Sequence, residues 1–75
     1  MITLVSTTNP KFEYLEGHKV SEKEFQIGLV IWFGDFHTST LQNIEYNHKD
    51  KYTDLVATTL NSTYVFRIGR YGNGE

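Results

Sequence analysis

The sequence predicts a small, mainly β protein: a five-stranded antiparallel meander that either closes into an SH3-like barrel or stays an open sheet. Three observations predict it. Apolar residues alternate with a period of two between Phe25 and Phe33, turn residues separate further runs of β-branched residues, and the 75 residues include five Phe, five Tyr and one Trp but no cysteine. Large rings bury much area in a short chain, and no disulfide can replace their packing. We therefore expect a second copy of the chain to bury additional apolar surface, because a small core alone is only marginally stable.

The amino-terminal part predicts one strand followed by a short helix. The first strand is expected at residues 2–7, where β-branched residues are frequent. Asn9 and Pro10 suit the N-cap and first position of a helix over residues 10–16, and Gly17 suits the position after its end. An extended edge segment is the alternative, because helices this short are marginal on their own.

The second strand is expected at residues 25–33, which carry the clearest pattern in the chain. Its apolar face consists of Phe25, Ile27, Leu29, Ile31 and Phe33. Val30 and Trp32 make the opposite face apolar as well, so that face is either covered or offered to a partner. We expect a homodimer to bury it. Gly34 and Asp35 then predict a tight hairpin turn.

The remaining strands are expected at residues 37–46, 52–60 and 63–69. The Gly34 turn pairs Phe33 with Phe36 and Trp32 with His37, and a second turn at Asn61-Ser62 joins the last two strands. Residues 1–69 are thus expected to form one β domain, and the glycine-rich residues 70–75 a flexible tail.

One register of the last hairpin is self-consistent. It pairs Thr59 with Tyr64, Ala57 with Phe66 and Leu55 with Ile68, which places all six side chains on one face. The opposite face then carries Val56, Thr58, Val65 and Arg67.

Charge and hydropathy narrow the function classes. Seven Lys and Arg against nine Asp and Glu give a net charge of -2, spread without blocks. This argues against a generic duplex binder, whose affinity comes from neutralising phosphates. The chain begins without the basic segment and apolar run of a signal peptide, and it has no apolar stretch of about 18 residues. We expect a cytoplasmic protein that does not bind membranes.

Asp35, His37 and Ser39 stand at alternate positions and suggest a catalytic triad. Side chains two residues apart on a strand have β-carbons about 7 Å apart, too far for direct contact, and the turn is expected to remove Asp35 from the shared face. The three histidines lack the short-range spacing of metal sites, and no glycine-rich loop precedes a helix to cradle phosphate. The sequence therefore predicts a protein that is not an enzyme and has no metal or cofactor.

Aromatic side chains on and near the central hairpin are the predicted binding residues, together with one histidine: Trp32, Phe36, His37, Tyr46 and Tyr52. Aromatic residues commonly carry the energy of protein interfaces, and on a small β fold they can also stack the bases of single-stranded nucleic acid. Core packing is the competing role, above all for Trp32. A third alternative is a nucleotide or other small ligand bound at a dimer interface.

Two stretches in the second half of the chain, TSTLQNI at residues 38–44 and TLNSTYVF at residues 59–66, carry a resemblance. A T-S-x-[VL]-x-x-[IV] strand followed by a T-x-N-S-x-Y hairpin is similar to a pattern in small β-sheet proteins encoded by phages and related mobile elements. The resemblance implies a context: such proteins commonly bind a host protein, and some block defence systems, without catalysis. We therefore expect a phage-type protein that binds a host protein in the host cytoplasm, with inhibition of host defence as one outcome.

Overall fold

The computed structural model describes residues 2–69, which form a mainly β fold. The strands are β1 (Ile2–Thr7), β2 (Lys19–Val20), β3 (Trp32–Phe33), β4 (Phe36–His37), β5 (Leu41–His48), β6 (Tyr52–Thr59) and β7 (Thr63–Gly69). Short 3-10 helices span Pro10–Leu15 and Glu22–Glu24. The tail predicted at residues 70–75 lies outside the described residues.

Five strands form one antiparallel sheet in the order β2-β1-β7-β6-β5, and β3 and β4 form a separate hairpin. The predicted fold class is confirmed, and of its two forms the open sheet is the one observed. The sheet is not a simple meander, because β1 pairs with β7 at the far end of the chain. Within the described residues, no helix has the length and apolar character needed to cross a bilayer.

The short helix after β1 is confirmed, in 3-10 form, over Pro10–Leu15. The Asn9 side chain caps it by accepting a hydrogen bond from the Lys11 N–H at 3.0 Å, and Leu15 is buried against the sheet. Gly17 follows with φ of 93°, a conformation that favours glycine. Its N–H donates to the Leu4 carbonyl at 2.7 Å, which ties the end of this segment to β1.

The prediction of one long strand at residues 25–33 is wrong. Strand structure in this range is confined to Trp32 and Phe33, and the residues before them form turns and irregular chain. Gly28 adopts φ of 94°, and its N–H donates to the Leu41 carbonyl at 2.9 Å. A left-handed residue in the middle of the run reverses the chain locally, so the period of two does not translate into a pleated strand.

The apolar residues of this run separate into two groups. Ile31 and Phe33 are buried and Phe25 packs partly against the core, whereas Ile27 and Leu29 remain 59% and 51% exposed. The fifth strand of the sheet is instead β2, a two-residue strand at the edge of β1.

The strand predicted at residues 37–46 is divided. β4 ends at His37, and β5 begins only at Leu41 and extends to His48, with a bulge between Leu41 and Asn43. Thr38 explains the break, because its hydroxyl accepts a hydrogen bond from the Ile31 N–H at 3.0 Å and its own N–H donates to the Ile31 carbonyl at 2.9 Å. These bonds hold the chain beside Ile31 rather than beside β6.

The last hairpin forms with the predicted faces but with a register two residues away from the predicted one. Leu55 pairs with Phe66, Ala57 with Tyr64 and Thr53 with Ile68. A shift by two preserves which side chains share a face. The reason is a turn centred one residue earlier, at Leu60 and Asn61: the Thr59 N–H donates to the Ser62 carbonyl at 2.8 Å, and the Thr59 hydroxyl accepts from the Ser62 N–H at 3.1 Å.

Aromatic rings cover the core face of the sheet. Phe66 is fully buried; its ring lies nearly parallel to that of Phe33 at 6.1 Å between centroids and edge-on to Phe25 at 4.8 Å. Phe12 of the first 3-10 helix contacts Phe33 at 5.6 Å. Edge-on and offset rings at these distances are favourable arrangements. The cluster joins the helix and the irregular segment to the sheet.

Candidate functional site: the β3–β4 hairpin and its groove

The β3–β4 hairpin pairs the residues that the sequence predicted, Trp32 with His37 and Phe33 with Phe36. Gly34 takes φ of 65° at the first turn position, which a side-chain-free residue does at little cost. Phe33 is buried, whereas Phe36 opposite it is 57% exposed. The hairpin is therefore fixed to the core by one aromatic ring and presents others to solvent.

The rings of Trp32 and His37 contact each other on this hairpin at a tilted angle. Their ring centroids are 4.7 Å apart with an interplanar angle of 56°, and Trp32 is 47% exposed. His37 Nδ1 donates a hydrogen bond to the Thr38 carbonyl at 2.7 Å. The imidazole is thus held in one orientation beside the indole.

A groove of about 440 Å³ runs beside Phe36. It brings together the amino-terminal 3-10 helix, the β3–β4 hairpin and the β6–β7 turn. Its lining consists of Asn9, Lys11, Phe12, Asp35, Phe36, His37, Thr38, Ser39 and Asn61. One ammonium, one carboxylate, one imidazole, hydroxyl and amide groups and two aromatic rings can therefore meet a ligand within this groove.

Asp35, which the turn was expected to remove from the face of His37 and Ser39, lines one groove together with both of them. His37 uses Nδ1 on the Thr38 carbonyl, and no side-chain hydrogen bond among residues 2–69 joins it to Asp35 or Ser39. The arrangement observed is a set of separate polar contacts and not a linked relay of the kind that activates a nucleophile. In the described part of the chain, no three acidic or histidine side chains converge as metal ligands would.

Only Phe36 and His37 of the groove lining were among the predicted binding residues. Of the other lining residues, Asn9, Lys11, Phe12 and Asn61 come from outside the hairpin segment. The sequence does show Asn9 as a helix cap and Asn61 as a turn residue. Their proximity depends on the pairing of β1 with β7, shown by the Thr8 N–H donating to the Thr63 carbonyl at 3.0 Å. The Asn9 amide also donates to the Tyr64 hydroxyl at 3.1 Å, which fixes its position at the groove.

Tyr46 and Tyr52, also predicted as binding residues, lie elsewhere on the main sheet. Tyr46 pairs with the buried Leu55, so it shares the core face at the β5 edge, and it is 53% exposed. Tyr52 borders a second cavity of about 520 Å³ at the β5–β6 turn. The structure therefore brings together only the three predicted residues of the hairpin.

Tyr52 belongs to a small cluster on the solvent-facing side of the sheet. The Arg67 guanidinium lies 3.9 Å from the centre of the Tyr52 ring and donates to the Asp54 carboxylate at 2.9 Å. The hydrogen bond to Asp54 raises the pKa of Arg67 above its ordinary value. The ring of Tyr52 thus already makes a cation–π contact within the protein.

Comparisons with protein-family models, with curated proteins and with solved structures find no match to this chain. The phage-type context indicated by the two sequence stretches therefore stays a prediction.

Proposed function

We propose that the chain is a small, non-enzymatic binding protein that engages another protein through its β3–β4 hairpin. One observation carries the proposal: Trp32 and Phe36 are about half exposed on a two-stranded hairpin that stands apart from the main sheet. Large exposed aromatic side chains are the type that most often anchors a protein interface. In the predicted phage-type context the partner is a host protein, and inhibition of a host defence system is one outcome of binding it.

The hairpin is well suited to present these rings because it is anchored to the core and to the preceding residue Ile31. Phe33 packs in the core, and Thr38 bonds to Ile31 through both its N–H and its hydroxyl. A surface that is already ordered loses less entropy when it binds. The hairpin can therefore act as a preformed binding element.

The groove beside Phe36 supplies the polar contacts that give an interface its specificity. Lys11 and Asp35 contribute opposite charges, and Ser39 and Asn61 contribute a hydroxyl and an amide. A protein segment offers hydrogen-bond donors, acceptors and apolar side chains together, which matches this mixture. Nucleic acid presents a uniformly negative backbone, whereas the groove carries both charges and the chain has a net charge of -2.

The first test compares three forms of the protein as bait in a host-cell lysate: the wild type, Phe36→Ala and Tyr14→Ala. Tyr14 is 67% exposed on the first 3-10 helix and is absent from the groove lining, so it is a matched control for the loss of an exposed ring. We expect one partner to be retained by the wild type and Tyr14→Ala. Phe36→Ala should bind that partner about tenfold or more weakly, which corresponds to roughly 1.4 kcal/mol.

The melting temperature of Phe36→Ala should stay within a few degrees of the wild type, because its ring is exposed. Equal capture by all three forms would contradict the proposal. Retention of a labelled single-stranded oligonucleotide at low salt, lost in Phe36→Ala, would instead assign the hairpin to nucleic acid.

A further inference from the structure

Strand β5 leaves one long edge of the sheet open. Among the described residues it pairs with β6 alone, whereas the opposite edge is formed by the two-residue β2. At its start, the outer side of β5 is occupied, since Leu41 donates to the Leu29 carbonyl at 2.8 Å. The free edge therefore lies beyond Leu41.

The backbone groups on this free edge can be assigned by alternation. Lys49 N–H donates to the Tyr52 carbonyl at 2.8 Å and so closes the β5–β6 turn. In an antiparallel pair, residues that bond to the neighbouring strand alternate with residues whose N–H and C=O point away. Counting back from Lys49, the groups that point away from β6 belong to Ile44, Tyr46 and His48.

The side chains of these three residues share the core face of the sheet. Their partners on β6 are the buried Ala57, Leu55 and Thr53, respectively. Tyr46 lies at the centre of the three and is 53% exposed. The free edge thus combines unpaired backbone groups with a half-exposed aromatic ring.

β5 carries few of the features that keep edges apart. It contains no Lys or Pro, its only acidic residue is Glu45, and its bulge lies at its start, between Leu41 and Asn43. Charged side chains and proline are two of the features that prevent an edge from adding a further strand, so long edges with few charged residues and no proline can add one.

We propose that β5 pairs antiparallel with β5 of a second copy of this chain, about a two-fold axis at Tyr46. The free residues lie symmetrically about Tyr46, so this register gives every free N–H and C=O of Ile44, Tyr46 and His48 a partner. Tyr46 stands opposite Tyr46 of the second copy, and Ile44 stands opposite His48. The two sheets join into one continuous sheet with a common core face.

Charge and the length of the free edge select this register over its neighbours. Pairing about Asn47 would place Ile44 beyond the end of β5 at His48. Pairing about Glu45 would place two carboxylates directly opposite each other, which is unfavourable. Pairing about Tyr46 places Glu45 opposite Asn47 instead. Pairing about Ile44 would leave His48 beyond the opposing free edge and bring in the bulge.

Two kinds of variant test the dimer. Tyr46→Pro removes an N–H that makes no bond within the monomer, at an edge position where proline is tolerated. It should abolish the dimer and keep the native circular dichroism spectrum.

Asn47→Glu and Asn47→Lys form a matched pair that tests the register. In the proposed dimer the glutamate faces Glu45 of the second copy and repels it, whereas the lysine attracts it. We expect the dimer dissociation constant of the glutamate variant to be about tenfold or more above that of the lysine variant, because the contact occurs twice.

Light scattering at tens of micromolar should give a dimer for the wild type and a monomer for Tyr46→Pro. Amide exchange followed by NMR should show Ile44, Tyr46 and His48 protected in the dimer and exposed on dilution, with Glu45 and Asn47 protected throughout.

A wild type that is monomeric at high micromolar concentration would overturn the proposal, and so would a dimer whose Tyr46 amide exchanges freely. If Tyr46→Pro fails to fold, equal dissociation constants for the two Asn47 variants would overturn it. The hairpin variant Phe36→Ala should remain dimeric, so failure here is separate from failure of the proposed function.

Discussion

At the scale of single residues, two phenylalanines illustrate how position decides the role of an aromatic ring. Phe66 is fully buried and contacts the rings of Phe25 and Phe33. Phe36 is 57% exposed beside the groove. The alternation in β7 correctly placed Phe66 on one face with Leu55 and Ala57, which the structure shows to be the buried face. The Gly34 turn predicted the pairing that places Phe36 on the hairpin.

Phe66→Ala and Phe36→Ala make the same chemical change at these two positions. Truncating a buried phenylalanine costs about 3–5 kcal/mol, a large part of the roughly 5–15 kcal/mol that stabilises a typical domain. We expect Phe66→Ala to be largely unfolded or to lose most of its denaturant midpoint, and Phe36→Ala to keep its midpoint nearly unchanged. Urea titrations followed by circular dichroism measure both, and equal midpoints would show that the core has been placed incorrectly.

At the scale of elements, the β6–β7 hairpin shows what local patterns predict and what they leave open. Side chains alternate between faces whatever the register, so the buried face of β6 and β7 was predicted correctly. The register itself depends on which residues form the turn, and the Thr59 hydroxyl favours the turn at Leu60-Asn61 through contacts with both the N–H and the carbonyl of Ser62. A two-residue turn at Asn61-Ser62 would not use these contacts.

Thr59→Val therefore tests the observed turn. It keeps the shape of a residue that is 4% exposed but removes a hydroxyl that makes two hydrogen bonds. The loss should destabilise the protein by about 1–2 kcal/mol, because the Ser62 N–H loses its acceptor. Thr58→Val on the opposite face serves as the control and should change the free energy of unfolding little. Similar small effects from both substitutions in thermal melts would favour the turn at Asn61-Ser62 instead.

Residues 25–31 are an element whose structure the local sequence pattern did not predict. Their alternation describes a strand well, but Gly28 with φ of 94° and its bond to Leu41 place them in an irregular segment. The period of two shows which side chains are apolar. It does not show which backbone N–H and C=O groups form hydrogen bonds with distant residues. The sequence alone therefore could not separate the buried Ile31 from the exposed Leu29.

At the scale of the whole molecule, the pairing of β1 with β7 determines what the candidate site contains. It brings the amino-terminal helix beside the β6–β7 turn, and so adds Asn9, Lys11 and Asn61 to the groove. Local sequence patterns predicted the hairpin residues of the site because a tight turn is a local feature. They could not predict the other side of the groove, because that proximity spans almost the entire chain.

The open sheet has consequences for the whole molecule as well. One face is covered by the helix and the irregular segment, and the edge at β5 and the exposed rings of the hairpin remain as separate surfaces. Two independent surfaces allow a symmetric dimer to present two hairpins to its partners. Binding through linked sites increases avidity without any new contact.

The central claim is that the hairpin itself is the binding surface, and Trp32 can report on it because it is the only tryptophan in the chain. Fluorine NMR of the protein labelled with fluorotryptophan isolates this one residue from every tryptophan of a partner. On titration with the partner captured from the host lysate, we expect the Trp32 resonance to shift and to lose its sensitivity to solvent, in proportion to the complex formed. A complex that forms with full affinity while the Trp32 resonance stays unchanged, and that Phe36→Ala does not weaken, would contradict the claim.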